Sequence, residues 1–149
     1  PIRSRRLGTD REYLVTRADT DRPHLSPIDL SREKKPLRLI VPGPSNTRRG
    51  RIDAYLESCG VKVEAILEMD AMMGTLDLVA RSDWVTILSG VLCAPDRDGK
   101  VRKLHPLVNP ELQVDYMLIE PSTRSMSPAA RLFAEAITVE MQRLIDEAS

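Results

Sequence analysis

Cysteine is scarce in this chain: Cys59 and Cys93 are the only two in 149 residues. They have no metal-like spacing and no further partners that would build a secreted disulfide scaffold, which points to reduced thiols and a cytoplasmic protein. An excess of charge is also lacking, since 22 Lys and Arg face 22 Asp and Glu. That balance is a poor footprint for a chain that must hold DNA or anionic lipid by itself. No apolar run approaches the length needed to span a bilayer, and the start, PIRSRRLG, has neither an apolar signal core nor an initiating Met. The chain reads as cut from something longer. A Gly-rich phosphate loop, an internal repeat and a low-complexity tract are absent as well.

What is there has the rhythm of one α/β unit. DREYLVTR (10–17) reads as a strand, followed by a Pro-containing polar loop that Leu25, Ile28 and Leu30 should pin to the fold. LRLIV (37–41) is a short apolar run ending in Pro42 and Gly43, as a buried parallel strand does. Ser45 or Asn46 can cap a helix carrying Ile52, Ala54, Tyr55 and Leu56 that closes at Cys59 and Gly60. A strand over 61–68 follows, then a helix with Met72, Met73, Leu76, Leu78 and Val79 that Asp70 is placed to cap, then WVTIL (84–88). Strand, helix, strand, helix, strand implies right-handed crossovers in a mostly parallel sheet. A broken strand over 101–107, a longer one over 112–120 and a helix begun by Ser127 and Pro128 complete the chain.

Three stretches in this order resemble the effector-binding domain of LysR-type transcriptional regulators: PLRLIVPGPSNTRRGRIDAYLESCGV (36–61), EAILEMDAMMGTLDLVARSDWVTILSG (64–90) and LHPLVNPELQVDYMLIEPSTRSMSPAARLFAEAI (104–137). The resemblance departs at Arg81 to Trp84, where many members have a Gly-rich turn, and at Ser89, where many have Pro. It implies a two-lobed α/β fold of the type 2 periplasmic-binding-protein kind. Residues 1–17 would form the end of the first lobe and a crossover strand, 18–100 the second lobe, and 101–149 the return and C-terminal helix of the first lobe. It further implies no catalysis and no cofactor or metal, a small and anionic effector, a homodimer or tetramer, and DNA contact only through a winged helix-turn-helix outside this sequence. The helix near 45–58 and the strand 61–68 would meet first-lobe elements of a partner subunit.

Ligands of open α/β sheets sit beyond the carboxyl ends of the strands. The loop Gly43-Pro44-Ser45-Asn46-Thr47-Arg48-Arg49 combines hydroxyl and amide side chains, a helix start and two guanidinium groups, a seat suited to a carboxylate. Pro44, Ser45, Asn46 and Thr47 are therefore ligand-binding candidates, as are Met69, Asp70 and Ser89 at the ends of the neighbouring strands. Helix capping is the competing role for Ser45, Asn46 and Asp70. His24 and His105 each adjoin Pro and lack the setting of a nucleophile or base, Met69, Met72 and Met73 fit core filling, and Glu64 and Glu68 share a strand face without need of a catalytic role. A transport-type solute-binding protein of the same fold and a small α/β enzyme are the alternatives. The enzyme would need a basic partner for Ser45, Thr47, Asp70 or Ser89.

Overall fold

The computed structural model describes residues 1–148. Its organising element is a long strand, β1 (Ile2–Arg17), that belongs to two sheets. Residues 2–11 pair antiparallel with β6 (Gln113–Pro121), while the last residues lie between β4 (Val85–Ser89) and β5 (Arg102–Pro106), antiparallel to both. With β2 (Leu37–Val41) and β3 (Val63–Glu68) the larger sheet has the order β3-β2-β4-β1-β5, and β2 is parallel to both β3 and β4. The fold is thus α/β with a parallel core and antiparallel margins, in two lobes joined along β1.

Burial explains the larger sheet. Leu37, Leu39 and Val41 face α1 (Thr47–Cys59), packing with Ile52, Tyr55 and Leu56. Ile40 and Leu88 face the other way, with Val79 of α2 (Met72–Arg81). A strand buried on both faces needs a continuous apolar run, and LRLIV supplies it. Asn46 caps α1, its Oδ1 accepting from the Arg48 N–H at 2.9 Å. Gly60 ends the helix at φ 63°, where its N–H reaches the Leu56 and Glu57 carbonyls.

The smaller lobe is a two-stranded ribbon of β1 and β6 with α3 (Pro128–Ala148) against it, and Ala134 is the one buried residue of that helix among those described. α3 lies so close to the ribbon that a Cβ on Gly8 would sit 2.5 Å from Ile145 Cδ1.

Several expectations change. The first strand begins at Ile2 rather than Asp10, because β6 pairs with a charged stretch whose outer face is solvated. Asp70 does not cap α2: Ala71 holds that position without a side-chain bond, and Asp70 Oδ1 instead accepts the Gly43 N–H at 3.0 Å. Of the residues expected to pin the loop, Ile28 and Leu30 are buried, whereas Leu25 is exposed at a positive φ of 65°. Met73 is 86% exposed and fills no core.

Candidate functional site

The carboxyl end of β4 pairs with β1 where it passes from one lobe to the other, and β2 lies one strand further out. Two acidic residues there, Asp10 and Glu12, are buried in the crossover. Alternation places Glu12 on the same strand face as Leu14 and Asp10, so a charge lies at the edge of an apolar sheet and needs a partner. Arg48, in the first turn of α1, provides it. Its Nη2 donates to both Glu12 carboxylate oxygens at 3.0 and 3.1 Å and to the Ile87 carbonyl at 3.0 Å. Burial pushes the Glu12 carboxyl up from its ordinary value, with Arg48 opposing. Burial also raises Asp10, against the N–H groups of Val91 and Arg11 that hold its charged form.

Beside this pair a cavity of about 140 Å³ opens between the lobes, lined by Glu12, Thr47, Arg48 and Arg51 on one side and by Gln113 and Asp115 of β6 on the other. Arg51 spans it, donating to the Gln113 carbonyl. A smaller recess of about 60 Å³ on the other side of Arg48 is bounded by Asn46, Met69, Asp70 and Thr86. Arg48 lines both spaces.

Among the residues expected from sequence, the structure therefore brings Thr47 to the inter-lobe cavity, and Asn46, Met69 and Asp70 to the recess behind it. Pro44 and Ser45 lie exposed on the loop and line neither space. Ser89 is buried, its hydroxyl bonded to that of Tyr116 across the lobe boundary. Asp10, Glu12, Arg51, Gln113 and Tyr116 were not among those expectations. Asp10 and Glu12 had one signal, acidic side chains at alternate positions where a strand turns apolar. Nothing in the order of residues pairs Glu12 with Arg48, 36 positions away.

Chemically the cleft offers guanidinium groups, a hydroxyl and carboxylates, with no imidazole or thiol. His105 lies instead between Thr16 and Ser26, and Cys59 and Cys93 are buried. No group of His, Cys, Asp and Glu able to hold a metal ion occurs among the described residues, and no helix among them is long and apolar enough to cross a membrane.

A parallel-core sheet, a strand shared by two lobes and a polar cleft at that crossing define a two-lobed effector-binding domain. The chain belongs to the LysR substrate binding domain family, whose model matches residues 1–142. This is a regulatory domain of transcription regulators and not an enzyme. The fold is similar to the reduced OxyR regulatory domain of Pseudomonas aeruginosa, with TM-score 0.71 and 19% identity over 93% of this chain and 66% of that one. It is similar to the Synechocystis PCC6803 CcmR regulatory domain in complex with 2-PG, with TM-score 0.70 and 10% identity over 93% and 66%. MetR, a LysR family regulator from N. meningitidis, gives TM-score 0.71 and 11% identity over 97% and 66%. The chain thus spans about two thirds of the length of these structures. No curated protein matches it.

Proposed function

We propose that this domain binds a small anionic metabolite in the inter-lobe cleft, with Arg48 as its anchor. The observation that carries this reading is the Glu12 carboxylate held on Arg48 at 3.0 and 3.1 Å. Glu12 is an internal carboxylate occupying the guanidinium that an effector carboxylate or phosphate would take, and burial already disfavours its charge. Thr47 adds a hydroxyl and Arg51 a second cation on the cavity wall. Asn46, Met69 and Asp70 shape the recess behind Arg48, Pro44 and Ser45 frame the loop, and Ser89 steadies Tyr116 across the lobes. The CcmR domain in complex with 2-PG supports a small-molecule ligand for this fold.

Effector binding then biases a homodimer or tetramer between arrangements that hold DNA differently, through a winged helix-turn-helix outside this sequence, in the cytoplasm. The test is a thermal-shift and titration screen of small carboxylates and inorganic anions on the full-length protein. Arg48→Gln should abolish binding of any hit, and Glu12→Gln, which frees the guanidinium, should tighten it severalfold. Affinity unchanged in Arg48→Gln refutes the anchor, and affinity unchanged in Thr47→Ala removes that hydroxyl from the site.

A further inference from the structure

A larger cavity lies at the opposite end of the same sheet. It has a volume of about 530 Å³, and its floor is formed by Leu14, Leu37 and Val85 with Ile28 from the loop that follows β1. Leu37 and Val85 are the first residues of β2 and β4, so this cavity opens at the amino ends of the parallel strands. The cleft lies at their carboxyl ends, about 13 Å away along four steps of about 3.3 Å. Its size falls in the range of small-molecule sites, and its apolar floor with a few polar groups at the rim is their usual construction.

The outer wall is loop, and that loop is fixed. Lys103 Nζ donates to the Thr20 carbonyl at 2.6 Å, Arg22 pairs with Glu33 at 2.8 Å, and the Ile28 N–H donates to the Pro106 carbonyl at 2.9 Å. The cavity is therefore preformed. At its base His105 is fully buried, its Nδ1 near the Ser26 carbonyl at 3.1 Å and its Nε2 near Thr16 Oγ1 at 3.2 Å. The imidazole is occupied by protein partners and contributes shape rather than a free charge.

The charges on the rim divide into matched and unmatched. Arg22 is matched by Glu33, and Asp83 by Arg17. Lys35 and Arg38 line the cavity with no carboxylate partner among the described residues, and Arg38 is held in place by stacking on Trp84 at 4.6 Å. Asp21 and Glu64 line it with no cationic partner among the described residues. Two unpaired cations and two unpaired carboxylates around an apolar floor are complementary to a molecule carrying both charges on an apolar body.

We propose that this cavity is a second ligand site, distinct from the cleft, for an apolar α-amino acid. Lys35 and Arg38 take the carboxylate, Glu64 and Asp21 take the ammonium, and the side chain rests on Leu14, Ile28, Leu37 and Val85. The inference does not depend on what the cleft binds.

Isothermal titration of the full-length protein with L-leucine tests it, alongside 4-methylpentanoate, which lacks the ammonium, and 3-methylbutylamine, which lacks the carboxylate. Leucine should bind once per chain with a dissociation constant on the order of 1 mM or tighter. Each truncated probe, and each of the exposed substitutions Lys35→Gln and Glu64→Gln, should weaken binding about tenfold, the effect of one charge-assisted hydrogen bond. No binding of leucine overturns the proposal. So does 4-methylpentanoate binding as tightly as leucine, or affinity that falls in Arg48→Gln and not in Lys35→Gln, which places the amino acid in the cleft.

Discussion

The two sheets share β1 and differ in what covers them. In the larger sheet, α1 closes one face and α2 the other, and Leu39, Ile40, Val41 and Ile87 are at most 1% exposed. In the ribbon, Met117 and Ile119 of β6 and Leu132, Phe133 and Val139 of α3 stay exposed. Both regions carry large apolar side chains, yet only the larger sheet buries them in a core. A two-stranded ribbon is marginal without a well-packed face, so the larger sheet is expected to hold most of the stability and the ribbon to depend on it. The crossing of β1 is where the two meet, and it is also where the polar cleft opens.

The largest effect that sharpens this contrast is in the larger sheet. Leu39→Ala or Ile87→Ala should each cost about 2–5 kcal/mol, read as a lower urea midpoint with unchanged slope. Next comes the junction. A Cβ on Gly90 would lie 2.8 Å from Asp10 Oδ1, 2.9 Å from the Ala148 Cβ and 3.2 Å from the Tyr13 ring. Gly90→Val should therefore cost about 1–3 kcal/mol through overpacking. The loss should appear as faster hydrogen exchange in α3, where Tyr13 Oη donates to the Ala148 carbonyl at 2.7 Å, while β2 stays protected. Equal deprotection of β2 would show that the lobes unfold as one and break the contrast.

How far the sequence reveals each region follows from the same physics. β2 is legible in LRLIV because burial on both faces demands an unbroken apolar run. The first half of β1 is not, since IRSRRLGT pairs only with β6 and its charges meet solvent. The loop 43–49 is legible as a strand-to-helix junction, and Asn46 does cap it. The contacts that decide the cleft are long-range: Glu12 finds Arg48, Ser89 finds Tyr116, and Gly43 diverts Asp70 from the helix it precedes. Local propensity carries no information about such pairings.

A smaller, pH-dependent effect separates the lobes by chemistry. Burial lowers the His105 imidazole from its ordinary value of 6.5. The unfolded chain then binds the proton that the folded chain refuses, so stability falls as pH drops below about 6.5 and continues to fall to the folded value. Thermal midpoints measured between pH 7.5 and 5.5 should decline, and His105→Gln should flatten that part of the slope. A slope unchanged by the substitution would assign the acid sensitivity to other groups.

The smallest effect is expected on α3. Phe133 is 67% exposed and Leu132 68%, so neither makes the contacts that make a core substitution costly. Phe133→Ala should change the unfolding free energy of this chain by no more than about 0.5 kcal/mol, an order of magnitude below the upper cost of Leu39→Ala. Denaturation at two protein concentrations checks this. A cost above about 1.5 kcal/mol that grows with concentration would mean that another copy buries Phe133 in solution. The ribbon would then draw its stability from association, where the larger sheet draws its own from α1 and α2.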